Sequence, residues 1–111
     1  MQTIEWQDFD KVELRVGTIR SARPNDKAVK PAYVLEVDLG ELGIKTSSAQ
    51  LTAHYGCDEL LGRQVLCVCN FAPKRIAGVR SEVLVTGVYD SDNRVVLAGF
   101  DKPLPNGARL A

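Results

Sequence analysis

The chain has 111 residues, of which 45% are hydrophobic and 25% are charged, and its 14 basic residues balance 14 acidic residues. We expect a single domain over residues 1–111, because a chain of this length usually buries enough apolar surface to fold without disulfides or metals. The zero net charge excludes strong long-range attraction of a polyanion, so a nucleic-acid site would need a local excess of basic residues.

The N-terminus and the cysteines predict a cytoplasmic protein. The opening MQTIEWQDFD lacks the basic start and apolar middle of a signal peptide. No apolar run approaches the roughly 20 residues of a membrane span, which predicts no membrane insertion. The cysteine count of three is odd and points to reduced thiols instead of a disulfide framework.

The first predicted element is one turn of helix over residues 4–9, which would bring Trp6 and Phe9 together. So short a helix is not stable alone and must dock on something. The two rings either cap the core of this domain or cross to a second subunit.

A bent strand follows from residue 12. Apolar and polar residues alternate as far as Val16, and the apolar phase then shifts at Gly17. A glycine at such a phase change predicts a bulge. The basic, proline-bounded residues 23–31 are predicted to form a loop.

The middle of the chain predicts a hairpin and a connector helix. Alternating residues 33–39 and the run 44–50 are joined by a glycine-bounded turn, which indicates two paired strands. Residues 51–61 form a weak helical segment that carries His54 on its surface, and Gly62 stands in the usual terminating place.

Three further elements complete the sequence prediction. Residues 65–69 are apolar on both faces and predict a central strand in which Cys67 and Cys69 are buried structural thiols. Residues 83–89 and 95–98 flank a polar turn and predict a second hairpin. The tail from residue 100 is rich in turns and could end in an edge strand at residues 108–110.

This order of elements fits an all-β fold, a small, partly open five-stranded Greek-key barrel of the oligonucleotide/oligosaccharide-binding (OB-fold) type with short helices. Another small barrel is the alternative. One face of this architecture and its loops usually bind extended ligands, which is an analogy at the level of the fold.

The sequence offers little catalytic chemistry. His54 is the only histidine, so no histidine-based metal cluster and no histidine beside a nucleophilic serine can be placed from spacing. The glycines are scattered and form no phosphate-binding loop. We therefore predict a protein that is not an enzyme and that holds no metal and no cofactor.

The residues after the central strand favour a binding role. Asn70 and Phe71 stand beside Lys74 and Arg75, and Arg80 follows. The ring could stack on an unpaired base while the cations neutralise phosphates. The alternative is that Phe71 anchors the core among solvated cations. The polar run Thr46-Ser47-Ser48-Ala49-Gln50 could donate hydrogen bonds to an RNA or a main chain, or could be an ordinary strand edge.

Five motifs together resemble the bacterial CsaA family, nearly from end to end. They are Leu14-Arg15-Val16-Gly17, Lys30-Pro31-Ala32-Tyr33, Lys45-Thr46-Ser47-Ser48-Ala49-Gln50, Asn70-Phe71-Ala72-Pro73-Lys74 and Ser81-Glu82-Val83-Leu84-Val85. That family belongs with the tRNA-binding domains found free-standing or attached to aminoacyl-tRNA synthetases. Its members are described as export-related chaperones that bind unfolded preproteins.

The resemblance implies a homodimer in which N- and C-terminal extensions around the barrel form much of the contact, and this gives Trp6 and Phe9 a role at the dimer interface. It also implies RNA contacts from the matching positions. These RNA-binding positions are Arg15, Lys45, Ser48, Gln50, Asn70, Lys74, Arg80 and Ser81.

For peptide binding we predict apolar contacts surrounded by a basic rim, because preproteins expose apolar and acidic stretches. The predicted residues are Phe71, Pro73, Lys74, Arg75, Ile76, Val79 and Arg80. The leading hypothesis is a protein-export chaperone that holds unfolded preproteins or peptides and keeps some tRNA-binding capacity. The alternatives are a dedicated tRNA-binding module and a scaffolding dimer without a ligand.

Overall fold

The computed structural model describes residues 1–110, so Ala111, the last residue of the predicted tail, lies outside the described residues. The elements are α1 (Trp6–Asp10), β1 (Leu14–Pro24), β2 (Tyr33–Asp38), a 3-10 helix (Gly40–Leu42), β3 (Ile44–Ala49), α2 (Cys57–Leu60), β4 (Gln64–Val68), β5 (Lys74–Ile76), β6 (Val79–Ser81), β7 (Leu84–Val85), β8 (Gly87–Tyr89) and β9 (Val95–Leu97).

The main sheet is a nearly closed five-stranded barrel, which confirms the predicted fold. Its strands lie in the order β3-β2-β1-β4-β7, and every hydrogen-bonded pair is antiparallel. The long β1 pairs with β4 through its first half and with β2 through its second half, so a single strand belongs to both sides of the barrel. At one end of the seam between β3 and β7, the N–H of Glu82, just before β7, donates to the Thr46 carbonyl oxygen at 2.8 Å.

The bend in β1 is not where the phase change predicted it. The register against β2 shifts between Ile19 and Ser21, two residues beyond Gly17. Gly17 instead allows close packing, because a β-carbon there would lie 2.8 Å from Leu39 Cδ2 and nearer still to Val37 Cγ1. The glycine therefore marks a tight contact across the core.

The core fills the barrel with aliphatic side chains from the strands. Leu60 of α2 is fully buried against them and closes one part of the barrel. The buried cluster comprises Ile19, Leu35, Val37, Leu39, Leu51, Leu60, Val65, Cys67, Val83 and Val85. Cys67 is buried as predicted, while Cys69 is half-buried. Burial raises the pKa of the Cys67 thiol to about 12, so this thiol stays protonated.

The sequence predicted no strand over residues 70–81, where the structure has the hairpin β5–β6. Ala77 and Gly78 form its two-residue turn with positive φ values of 47° and 79°. Two successive left-handed residues match the twist of paired strands, although alanine tolerates this conformation poorly. Because the first position is alanine and not asparagine or glycine, the usual hairpin signal is missing from the sequence.

Two other predictions need correction. The strand predicted over residues 83–89 is divided at Thr86 into β7, which pairs with β4, and β8, which pairs with β9. His54 lies in a turn before α2 and not on a helix. Its Nε2 is 2.7 Å from Asp90 Oδ2 in the turn that joins β8 to β9.

The two ends of the chain flank the barrel differently. The tail runs beside β1, since the Val16 N–H donates to the Ala108 carbonyl oxygen at 2.8 Å and the Leu110 N–H donates to that of Leu14 at 2.9 Å. This confirms edge pairing at residues 108–110. Helix α1 buries none of its residues, and Trp6 is 83% exposed, so its ring does not cap the core of this chain.

Among residues 1–110, no helix is long and apolar enough to cross a membrane.

Candidate functional site

The β5–β6 hairpin positions most of the predicted binding residues. Its turn is supported from the loop after β1, where Asn25 Nδ2 donates to the Ala77 carbonyl oxygen at 3.3 Å. The Lys27 side chain lies against Gly78, with its Cδ 2.9 Å from where a β-carbon would stand. The turn is therefore braced, and Lys27 adds a cation beside it.

The hairpin divides the predicted residues between its two faces. Lys74 is paired with Ser81 and Ile76 with Val79, so these four side chains share one face. Arg75 and Arg80 form the intervening pair and share the other face. The residues predicted as one basic rim thus lie on both sides of a thin ribbon.

The inner face of the hairpin, β3 and β7 enclose a groove of about 380 Å³, which we call the hairpin groove. It is lined by Ser48, Phe71, Ala72, Lys74, Ile76, Ser81, Val83 and Leu84. Phe71 is 59% exposed and Ile76 is 39% exposed, so neither is a core anchor. The groove brings together three predicted RNA-binding residues and three predicted peptide-binding residues, with Lys74 in both sets.

Ser48 and Ser81 join the two walls of the hairpin groove. The Ser48 N–H donates to Ser81 Oγ at 3.1 Å. This bond crosses from β3 to β6 and fixes the distance between them. The Ser81 hydroxyl is thereby oriented at the base of the groove and can still donate its proton to a ligand.

The cations of the hairpin are free to meet an anion. Lys74, Arg75 and Arg80 are exposed, and within residues 1–110 none of them forms a salt bridge. Arg75 Nη1 donates to the Gly78 carbonyl oxygen at 3.2 Å, a bond within the hairpin that leaves the positive charge unbalanced. Two arginines directly opposite each other repel, which costs a few tenths of a kcal/mol or more.

Arg15 and Asn70 have structural partners instead. Arg15 Nη2 is 2.7 Å from Glu13 Oε1, and its Nη1 donates to the Gly107 carbonyl oxygen at 3.0 Å, which ties β1 to the tail. Asn70 accepts from the Glu13 N–H at 2.9 Å and donates to the Lys11 carbonyl oxygen at 2.6 Å. Both side chains hold the terminal segments against the barrel.

Lys45 and Pro73 line a neighbouring depression of about 350 Å³ that also includes Phe71. Lys45 Nζ is 4.0 Å from Glu82 Oε2, so its charge is partly balanced within the chain. Phe71 therefore stands between this depression and the hairpin groove.

Gln50 lies in a second groove of about 440 Å³, which we call the seam groove because it runs between the end of β3 and the β7–β8 segment. It is lined by Ser48, Ala49, Gln50, Leu51, Leu84, Val85, Thr86, Gly87, Tyr89 and Val95. Ser48 and Leu84 are shared with the hairpin groove, so the two adjoin. Sequence reasoning missed Leu84, Thr86 and Tyr89, although the interruption of a strand pattern by Gly87 was a usable signal.

Metal ligands do not cluster in the described part of the chain: no group of three or more histidine, cysteine or acidic residues is arranged to hold an ion there.

Comparisons with known proteins give consistent results. The family model described as "Putative tRNA binding domain" matches residues 14–109. The crystal structure of chaperone CsaA from Bacillus anthracis str. Ames is 44% identical with a TM-score of 0.93, and the match covers 99% of this chain and 100% of that one. The CsaA chaperone protein from Picrophilus torridus is 41% identical with a TM-score of 0.91, over 98% of this chain and 100% of that one.

Among curated proteins, the methionine–tRNA ligase of Pyrococcus horikoshii is 36% identical over 110 residues. The match covers 99% of this chain but 15% of the ligase, so this chain spans a small part of the enzyme's length.

Proposed function

Because the chain belongs to the tRNA-binding domain family and to the CsaA family, we propose that it is a binding protein, not an enzyme, that holds tRNA at the hairpin groove and its cationic outer face. The observation that carries the proposal is the set of exposed cations on one hairpin, beside an exposed ring. The hairpin supplies the charges of Lys74, Arg75 and Arg80, Lys27 adds one beside its turn, and Phe71 supplies the ring.

The geometry suits an unpaired or strongly bent RNA segment. A ribbon with cations on both faces can meet phosphates of two neighbouring backbone stretches. Phe71 can stack on a base, an interaction worth about 1–3 kcal/mol. The Ser81 hydroxyl at the groove base can hydrogen-bond a base edge or a ribose hydroxyl, which distinguishes RNA by its 2′-OH. The chain as a whole is neutral, so binding would depend on this local field.

Holding of unfolded preprotein or peptide segments is the second candidate, and the apolar character of the hairpin groove favours it. Phe71 and Ile76 offer exposed apolar surface beside Lys74. Both similar CsaA proteins are described as chaperones, which supports the same function. A role in protein export is part of this candidate.

We further propose a homodimer that works in the cytoplasm. Exposed Ile4 and Trp6 and half-buried Phe9 form an apolar surface on α1 and the residues just before it, and α1 buries none of its residues. A second copy of the chain would bury this surface. Two copies would place two hairpins on one particle and raise the avidity for an extended ligand.

A charge-reversal pair tests the tRNA proposal. Lys74→Glu should weaken tRNA binding by about tenfold or more and make the log–log salt dependence shallower by about 0.7–0.9 for each phosphate that the side chain no longer neutralises. Lys102→Glu is the matched control, since Lys102 is also exposed but lines a different surface beside Phe100. Equal weakening by both substitutions would mean that only net charge matters, and the proposal would fail.

A further inference from the structure

The β7–β8 segment has one hydrogen-bonded edge and one open edge. The Thr86 N–H donates to the Leu66 carbonyl oxygen of β4 at 2.9 Å, and the Thr86 carbonyl oxygen accepts from the Ala98 N–H at 3.2 Å. Main-chain groups of successive residues in a strand point to opposite edges. The main-chain groups of the even-numbered residues therefore point to the paired edge, which faces β4 before Thr86 and β9 after it.

The odd-numbered residues point the other way, toward the seam groove. In the register of both ladders, the main-chain groups of Val85, Gly87 and Tyr89 point away from the paired strand, and within residues 1–110 none of them takes part in a hydrogen bond outside the strand pairing. All three residues line the seam groove, and Gly87 and Tyr89 are exposed. Residues 85–89 thus present an open strand edge.

The facing wall of the groove also offers main-chain groups. The main-chain groups of Thr46 and Ser48 in β3 point away from β2. The Thr46 carbonyl oxygen accepts from the Glu82 N–H, and the Ser48 N–H donates to Ser81 Oγ. The Ser48 carbonyl oxygen and the Gln50 N–H continue this series, and neither is bonded to another group in the described part of the chain. Main-chain donors and acceptors thus lie on both walls of the seam groove.

The side chains of the seam groove carry no charge. The residues that line it are apolar, glycine or uncharged polar. A phosphate chain would lose hydration there without meeting a cation, whereas an extended polypeptide brings the alternating N–H and carbonyl groups that an open strand edge pairs with.

The hairpin that carries this edge is braced from its far side. The Leu97 N–H donates to Tyr55 Oη at 3.0 Å, and His54 Nε2 lies 2.7 Å from Asp90 Oδ2. These contacts fix β9 and the turn while the open edge of β8 stays accessible. A braced edge loses little conformational freedom when a strand is added to it.

We propose that the seam groove captures an extended polypeptide segment by strand addition to residues 85–89, so that polypeptide and tRNA occupy adjoining but separate sites. This deepens the peptide-holding part of the proposed function and rests on it, but it places the polypeptide main chain in the seam groove and leaves the adjoining hairpin groove to tRNA. The groove recognises the main chain of the peptide, and the Tyr89 ring packs on alternate side chains of the peptide. Such a mode accepts many sequences, because main-chain groups are common to all of them.

The test uses the full chain and two synthetic octapeptides of alternating threonine and valine, one of them N-methylated at alternate positions. N-methylation removes main-chain donors and leaves the side chains in place. The unmodified peptide should bind at least tenfold more tightly, as measured by fluorescence anisotropy, and should slow amide exchange at Gly87 and Tyr89 by tenfold or more. The same amides should exchange rapidly in the free protein.

Three results would overturn the inference. One is equal affinity for the two peptides; another is slow exchange at Gly87 and Tyr89 in the free protein, which would mean that the edge is already covered by a second copy. The third is slowing of these amides by tRNA instead of peptide. If both peptides bind equally, only this inference fails; if neither binds while tRNA does, the peptide-holding function fails with it and tRNA binding stands.

A matched pair of substitutions keeps the test independent of overall folding. Tyr89 and Val88 are both 70% exposed, but they point to opposite faces of β8 and only Tyr89 lines the groove. Tyr89→Ala should weaken binding of the unmodified octapeptide several-fold, whereas Val88→Ala should leave it unchanged. Equal effects of the two would count against the assignment.

Discussion

Arg15 on β1 and Arg80 on β6 are the same residue type in two different regions. Arg15 is half-buried and bonded to Glu13 and Gly107, whereas Arg80 is exposed and paired across the hairpin with another arginine, Arg75. The first arrangement stabilises the chain by joining a strand to the tail. The second costs stability and leaves charge available to a ligand. The partners of a cation within the fold, and not its presence in a motif, therefore indicate whether its charge stabilises the chain or is available to a ligand.

The largest effect should come from the β1 region. In Gly17→Ala the new β-carbon would press on Val37 and Leu39, and such overpacking costs about 1–3 kcal/mol of unfolding free energy. Chemical denaturation measures it. Gly99→Ala is the control, because a β-carbon there meets nothing within 4 Å. If the two variants are equally stable, the close packing inside the barrel is not as described.

The next effect should appear in the hairpin and should separate stability from binding. Arg80→Glu places a carboxylate opposite Arg75, which should raise the unfolding free energy by about 0.2–1 kcal/mol. The same change should weaken tRNA binding about tenfold, or about 1.4 kcal/mol. Chemical denaturation and a tRNA titration of the same preparation measure the expected gain in stability and the expected loss of affinity. If the variant is less stable and binds tRNA unchanged, then Arg80 has a structural role and the contrast with Arg15 fails.

Asn70→Ala should have a smaller effect, confined to stability. The variant loses the bonds to Glu13 and Lys11, which is worth about 1 kcal/mol because both lie near solvent. We expect amide exchange in residues 11–13 to accelerate and tRNA affinity to stay within about twofold of the original, a difference of about 0.4 kcal/mol. A large loss of affinity with unchanged exchange would return Asn70 to the RNA-binding set.

The smallest effect should be a pH dependence of the β8–β9 turn. The Arg94 N–H, and after it His54, hold the pKa of Asp90 below its ordinary value. A carboxylate with a lowered pKa contributes stability above its unfolded-state pKa, and this contribution is lost as the pH falls through the folded-state value. In His54→Ala the Asp90 midpoint, followed by carboxyl carbon NMR, should move up toward the ordinary value. An unmoved midpoint would mean that the two side chains do not interact.

The sequence predicted the barrel because its strands alternate clearly and its core strand is apolar on both faces. It also predicted where unbalanced cations concentrate, since no acid interrupts residues 63–80. It could not predict how these residues are divided. The faces of β5 and β6 depend on a two-residue turn begun by Ala77, a residue that seldom adopts a left-handed conformation.

The seam groove was beyond sequence reasoning for a different reason. Which strand edges are paired depends on how the barrel closes, and Glu82 and Ser81 join β3 at one end of the seam. The break at Thr86 passes the segment from β4 to β9 and leaves its other edge open. The resemblance to the tRNA-binding relatives assigned Arg15 and Asn70 to RNA, and their bonds to Gly107 and Lys11 could not be foreseen because these partners are distant in the sequence.

The most direct measurement is an amide chemical-shift titration of the full chain with tRNA. We expect the perturbations to concentrate on residues 71–81 and Ser48, with residues 14–16 and 106–110 little changed. Perturbations centred on Arg15 and the tail, with the hairpin unchanged, would contradict the placement of tRNA at the hairpin.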